Sequence, residues 1–204
     1  MFDSNKPFEV IVPTGSDPSG KKTCLVRFPT DAEWCERARK TVIVRKQLSA
    51  DASTSEMPDD DRLSAELFAK IRTDDGRPEM DAAEGAYVIQ RLENCRVLSC
   101  EREGIQFRIT MKVPGGEVIH TLRMPKLADE REFSRMSAPP PIQRRHHSEI
   151  RIYLEPSGEL WGKCHISTSG YADGSAVPII HKSQAISEML RAISQDGEEK
   201  DPEQ

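Results

Sequence analysis

The sequence predicts an α+β fold in which a β-hairpin followed by helices occurs twice, with antiparallel strands and packed helices in each copy. Two pairs of similar sequence blocks support this prediction. Residues 27–29 (Arg-Phe-Pro) end an apolar segment and precede an acidic helix start, and residues 123–125 (Arg-Met-Pro) do the same. Residues 64–70 (SAELFAK) are echoed by residues 157–163 (SGELWGK) at nearly the same spacing. Separated blocks that recur at one spacing are typical of a duplicated unit.

Length and charge set the domain organisation that we expect. A chain of 204 residues is long enough for two small domains with their own cores. We place the first hairpin-plus-three-helix unit at 1–94, its diverged copy at 95–195 and a disordered acidic tail at 196–204. The net charge is −5, and the tail supplies most of it, so the remaining body is nearly neutral.

Several classes of protein are disfavoured by composition. No apolar run approaches the roughly 20 residues that cross a bilayer, and the first residues lack a signal-peptide pattern, so we expect a cytoplasmic protein without membrane contact. The five cysteines are scattered without a CxxC pair, which favours reduced thiols over a disulfide framework or a structural zinc site. Glycine spacings match no P-loop or dinucleotide motif, so no cofactor is expected.

The first half of the chain reads as a hairpin and three helices. Strands are predicted at 8–12 and 23–28, joined by the loop 13–20. Thr30 and Glu33 fit a capping box, so a helix begins there, and we extend it to about Leu48 despite the β-branched residues at 42–44. Residues 49–58 read as an exposed linker. Two further helices follow the aspartates at 59–61 and the loop at 74–78.

The second half repeats the hairpin with a shorter turn. Three antiparallel strands are predicted between Cys95 and Met124, followed by a helix at 127–136. The three prolines at 139–141 predict an extended corner. A short strand over 150–154, a helix over 159–165, turn residues at 167–170 and a final amphipathic helix through Ile186 and Ile193 complete the copy.

A basic stretch is the first candidate interaction site. Arg37, Arg39, Lys40, Arg45 and Lys46 fall in the predicted first helix and could meet phosphates or an acidic partner. A solvated helix face explains them more simply. Nucleic acid is not an expected partner, because the body is nearly neutral and only 5% of the residues are aromatic.

Histidines form the second candidate. His146, His147, His165 and His181 could bind a metal ion or act as acid and base. Adjacent histidines in an extended segment point to opposite sides, so a polar loop is the simpler interpretation.

The two tryptophans, Trp34 and Trp161, mark packing centres, either as buried anchors or as contacts for a partner. The interaction candidates are Trp34, Arg37, Lys40, Trp161 and His181, and no residue is assigned as catalytic, cofactor-binding or metal-binding.

The blocks 25–34 (LVRFPTDAEW) and 177–185 (VPIIHKSQA) resemble those of poorly characterised prophage-encoded proteins found with tail-morphogenesis genes. The resemblance implies a virion component or assembly factor that acts through protein contacts. No site residue of this chain is assigned from it. A virion would then be a second location besides the cytoplasm.

Three hypotheses of function follow. The first is a non-enzymatic structural or assembly module that binds other proteins of a larger assembly and could also oligomerise. The second is a metal-dependent hydrolase that uses His146, His147, His165 or His181. The third is a nucleic-acid-associated factor that uses the basic stretch, which the near-neutral body disfavours.

Overall fold

A computed structural model describes residues 3–4, 6–14, 17–47, 53–56, 59–138, 147–151, 154–171 and 177–198. These residues form an α+β fold with antiparallel strand pairing, as the sequence predicts. The chain divides into two compact units. The N-terminal unit comprises Asn5–Glu93 and Ser137–Leu154, and the C-terminal unit comprises Met1–Ser4, Asn94–Met136 and Glu155–Gln204.

The helices and strands follow one another in this order: β1 (Phe8–Thr14), β2 (Asp17–Val26), α1 (Asp31–Lys40), β3 (Val42–Gln47), β4 (Ser53–Glu56), α2 (Asp60–Ile71), α3 (Ala82–Glu93), β5 (Arg96–Glu103), β6 (Gln106–Val113), β7 (Gly116–Arg123), α4 (Leu127–Ser137), β8 (His147–Arg151), α5 (Glu155–Cys164), β9 (His165–Ser169) and α6 (Ile179–Glu198). In the N-terminal unit β1 pairs with β2, and β3 lies between β4 and β8. In the C-terminal unit the sheet order is β5-β6-β7-β9.

The first hairpin is confirmed, with Val10 opposite Cys24 in an antiparallel register. Its second strand begins at Asp17, so the predicted loop over 13–20 is too long. The hairpin buries Val12, Cys24 and Val26.

Helix α1 starts where the capping box predicts and ends earlier than expected. Thr30 Oγ1 accepts from the Glu33 amide at 3.3 Å, and the Glu33 carboxylate accepts from the Thr30 amide at 2.9 Å. The prediction of a helix to Leu48 is wrong, because the β-branched run at 42–44 belongs to β3, which pairs with β4 and β8. The predicted linker 49–58 likewise contains β4.

Helices α2 and α3 are confirmed and pack on each other. Asp59 caps α2 by accepting from the Arg62 amide at 3.0 Å, and the predicted apolar stripe of α2 is buried. The two helices approach closely at Gly85, where a Cβ atom would lie 2.8 Å from Cδ1 of Phe68. Glycine therefore allows the Phe68 ring to lie against α3.

The three predicted strands of the C-terminal unit are confirmed as β5, β6 and β7. Alternation along β6 buries one face of the sheet, where Phe107, Ile109 and Met111 lie inward. Their partners on β7 are Leu122, His120 and Val118. On β6 and β7 the inward residues are therefore apolar except for His120.

The end of the C-terminal unit departs from the prediction. Residues 167–170 were expected to form a turn, but residues 165–169 form β9, which pairs with β7. Helix α5 begins at Glu155 rather than at 159, and α6 begins at Ile179 and buries Ala185, Ile186 and Met189. The proline corner at 139–141 and tail residues 199–204 lie outside the described residues.

Both units contain a similar contact between the last strand of the hairpin and the residue that follows the helix of the repeated seven-residue block. In the N-terminal unit Val26 bridges to Arg72, whose guanidinium lies 5.5 Å from the ring centroid of Phe68. In the C-terminal unit Leu122 pairs with His165, whose ring stacks on Trp161 at 4.9 Å. The positions that correspond between the two contacts are Val26 with Leu122 and Arg72 with His165. Their separations in the chain are nearly those of the repeated sequence blocks.

The ion pairs around the first helix of each unit also correspond. The Arg-X-Pro arginine pairs with a carboxylate of the following helix, and the lysine that ends the repeated seven-residue block pairs with a second carboxylate of that helix. The pairs are Arg27–Glu33 and Lys70–Glu36 in the N-terminal unit, and Arg123–Asp129 and Lys163–Glu132 in the C-terminal unit. We call each set of two ion pairs the helix clamp.

Candidate functional site

Trp34 is a packing anchor of the N-terminal unit. Its side chain is only 1% exposed, and its ring centroid lies 6.1 Å from that of Phe28. Phe28 is itself buried. The indole therefore covers the apolar residue that separates the hairpin from α1.

Arg37 is used inside the N-terminal unit. Its guanidinium pairs with Asp60 at 2.8 Å and with Glu93, and donates to the Ser64 hydroxyl at 3.0 Å. The side chain is only 13% exposed, so it ties α1 to α2 and α3. Burial raises the pKa of the Glu93 carboxyl, and the neighbouring Arg37 charge opposes that rise.

The predicted basic helix does not exist as a single surface. Lys40 pairs with Glu36 at 2.8 Å on α1, whereas Arg45 and Lys46 lie on β3. The expectation that all five cations share one helix is therefore wrong, for the same reason that α1 ends early.

Two of the candidate histidines lie in the C-terminal unit, each near a third histidine that sequence analysis missed. His165 begins β9, His181 lies in the first turn of α6, and His120 lies on β7. His146 lies outside the described residues, as does the side chain of His147. We call the group His120, Trp161, His165, Thr168, Tyr171 and His181 the histidine cluster.

A threonine hydroxyl joins two of these imidazoles. Thr168 Oγ1 lies 3.0 Å from Nδ1 of His120 and 2.8 Å from Nε2 of His165. A hydroxyl has one hydrogen to donate, so one ring nitrogen must accept it while the other donates to the oxygen. Within the described part of the chain, Nε2 of His120 is buried without a hydrogen-bond partner.

Aromatic rings enclose these histidines. Trp161 meets His120 edge-on and stacks on His165, with 4.9 Å between centroids in both pairs. The Tyr171 hydroxyl lies 2.6 Å from Nδ1 of His181. Trp161 and Tyr171 are each 6% exposed, so Trp161 is also a packing anchor.

The electrostatics of the cluster favour uncharged imidazoles. Burial lowers the pKa of His120 to about 4 and that of His181 to about 3. Burial also raises the pKa of the Tyr171 hydroxyl. A general base works best with a pKa near the operating pH, so these histidines are suited to packing and hydrogen bonding.

Metal binding gains no support from the described residues, among which no group of three histidine, cysteine or carboxylate side chains is placed to hold an ion. The metal-dependent hydrolase stays an untested alternative. Strand alternation could have identified His120, since it falls between the inward residues Val118 and Leu122. The threonine contact could not be found without predicting β9.

An exposed apolar surface lies at the start of α4 in the C-terminal unit. The Met124 amide donates to the Ile105 carbonyl at 2.7 Å, and Leu127 begins α4 directly afterwards. Ile105 is 69% and Leu127 61% exposed. We call Ile105, Met124 and Leu127 the apolar patch.

In the N-terminal unit the residue that corresponds to Met124 is buried. Phe28 occupies the position of Met124 in the Arg-X-Pro repeat, and it is 3% exposed under Trp34. At the same distance after the proline, α4 has Glu130 in place of a tryptophan. Helix α4 contains no fully buried residue, so the patch has no comparable cover from its own helix.

No protein-family model, curated protein or solved structure matches this chain. Among the helices of the described ranges, none has both the length and the apolar character needed to cross a membrane. The inference of function therefore depends on the geometry of each unit.

Proposed function

We propose that the protein is a non-enzymatic structural or assembly module that binds other proteins, as in phage or prophage tail morphogenesis. The observation that carries this proposal is the apolar patch, where Ile105 and Leu127 are largely exposed. Single exposed apolar residues are common on monomers. Here two large ones flank the half-buried Met124, whose amide is hydrogen-bonded to the Ile105 carbonyl, and a partner could bury both.

The energy available at the patch is sufficient for a specific contact. Fully burying a leucine or isoleucine side chain is worth about 1.5–3 kcal/mol. Because Ile105 is 69% and Leu127 61% exposed, their burial by a partner supplies about 1–2 kcal/mol each.

The helix clamp holds Leu127 in place before any partner arrives. Lys163 Nζ lies 2.6 Å from Glu132 and 3.8 Å from Asp129, which is also 3.8 Å from Arg123. These ion pairs fix α4 while leaving its first residue exposed. A contact surface fixed in advance loses less conformational entropy on binding.

Duplication and divergence explain why only one copy offers this surface. The shared helix clamps and the matching hairpin-to-helix contacts support descent of both units from one ancestral unit. On this proposal the first copy acquired a tryptophan cover that stabilises it, and the second kept its apolar patch for a partner. The histidine cluster, with its neutral buried rings, then serves the second copy as a polar core.

Site-specific photo-crosslinking tests the proposal. A photoreactive phenylalanine analogue replaces Leu127 in the full chain, produced in the native host, and the exposed Lys112 of β6 provides the matched control position. We expect Leu127 to cross-link to another protein of the same assembly and Lys112 to give no such product. Equal products from both positions, or none from Leu127, would refute the proposal.

A further inference from the structure

We infer that a groove in the N-terminal unit binds a lysine or arginine side chain of a protein partner. The groove lies between α2 and the segment 72–82, which leads into α3. It would be a second contact surface of the proposed protein-binding module, so the inference rests on that function. The apolar patch of the C-terminal unit takes no part in it.

The groove is large enough for a side chain and has an apolar lining along α2. Its volume is about 500 Å³, within the roughly 300–1,000 Å³ common for ligand sites. Phe68 and Met80 line it together with the small residues Ala65, Ala69 and Ala82. Because these alanines leave room beside the Phe68 ring, an aliphatic chain can lie along the helix.

The cation that lines the groove is already paired. Arg72 makes an ion pair with Asp74, donates to the Pro78 carbonyl and lies over the Phe68 ring. Its side chain is 12% exposed. The other arginine of this segment, Arg77, is not among the lining residues. Arg72 therefore builds the wall of the groove and supplies no unpaired positive charge for an anion.

Two exposed carboxylates give the groove its negative charge. Asp75 and Asp81 both line it, and an oxygen of Asp81 accepts from the Glu84 amide at 2.8 Å. A lysine or arginine side chain complements this arrangement, since its methylene stem packs on apolar surface while its charged head reaches carboxylates. A phosphate or an acidic peptide would be repelled by the same groups.

Peptide titration of the isotope-labelled full chain tests the inference by amide NMR. The probe is the peptide Ac-Ala-Leu-Lys-Leu-Ala-amide, and the control peptide carries norleucine, which keeps the stem and lacks the ammonium group. We expect the lysine peptide to shift the amides of Ala69, Thr73 and Ala82 in a saturable way, at least about tenfold more tightly than the norleucine peptide. High salt should weaken the lysine peptide alone.

A double variant of the groove and a control variant outside it separate the effect of charge from that of shape. The double change Asp75→Asn and Asp81→Asn removes both charges, and asparagine suits both the positive φ of 52° at residue 75 and the cap at residue 81. We expect it to abolish the preference for lysine, whereas Asp61→Asn, on the exposed first turn of α2, should leave it unchanged.

Two outcomes would overturn the inference: no saturable shift of groove amides with the lysine peptide, or an unchanged lysine preference in the double variant. Equal binding of the norleucine peptide would assign the groove to an apolar ligand instead and would also overturn it. None of these results bears on the cross-linking at Leu127, so failure of the groove and failure of the proposed function are distinguishable.

Discussion

Acidification should destabilise the C-terminal unit through His120. The side chain is fully buried, and burial lowers its pKa to about 4. An unfolded histidine has a pKa of about 6.5. Because the pKa is lower in the folded state, the unfolded chain binds the proton first. The contribution of the neutral His120 to the free energy of unfolding is therefore fully present above about pH 6.5 and is lost as the pH falls toward 4.

The size of this loss follows from the two pKa values. Each pH unit between 6.5 and about 4 costs roughly 1.4 kcal/mol for one proton, which gives a total of about 3 kcal/mol. His181 acts in the same direction, with a pKa of about 3. For comparison, the pKa of Glu33 in the N-terminal unit is lowered to about 2, so its contribution is lost only below its ordinary pKa of about 4.5.

Urea unfolding at a series of pH values measures the effect, with the amide resonance of Met111 reporting the C-terminal unit and that of Cys24 the N-terminal unit. The variant His120→Gln can still hydrogen-bond Thr168 but does not titrate. We expect the variant to lose the part of the pH slope that one proton contributes. A wild-type Met111 transition that is flat between about pH 6.5 and 4.5, or an unchanged slope in the variant, would show that protonation of His120 does not destabilise the unit.

Three further predictions concern packing and the helix clamps. Glu33→Gln, which weakens a bidentate arginine pair, should cost the N-terminal unit about 1 kcal/mol in urea unfolding. Gly85→Ala should lower the free energy of unfolding by about 1–3 kcal/mol, because its Cβ would lie 2.8 Å from Phe68. Gly162→Ala meets no atom within 4 Å and should raise the free energy of unfolding by about 0.5–1 kcal/mol. Changes of the opposite sign at these two glycines would contradict the packing. Lys163→Met should speed hydrogen exchange in α4, and unchanged exchange there would show that the clamp does not hold the helix.

The elements that sequence analysis predicts well are those whose local signals agree with their tertiary contacts. The capping box at Thr30 fixes the start of α1, and the strand-like pattern between Cys95 and Met124 predicts β5, β6 and β7. The end of α1 could not be found this way. Residues 42–47 pair with β8, roughly a hundred positions away in the chain, and no local signal reveals a partner so distant.

The candidate sites were predicted less well, for a related reason. Arg37 shows in the sequence as one member of a basic stretch, whereas its three partners come from α2 and α3. The link from His120 to His165 depends on Thr168 and the pairing of β9 with β7, and a five-residue segment with only one apolar residue gives little strand signal. Local sequence signals predict the starts of α1 and α2, whereas the sites are formed by residues that only folding brings together.

The affinity of the complex tests the proposal that the apolar patch binds a protein partner. With the partner that Leu127 cross-links, the dissociation constant is measured for the wild type, for the double variant Ile105→Ser and Leu127→Ser, and for the exposed control Lys112→Ser. Loss of two contacts worth about 1–2 kcal/mol each predicts at least about a 30-fold weaker complex for the double variant and little change for the control. Wild-type affinity in the double variant would contradict the claim.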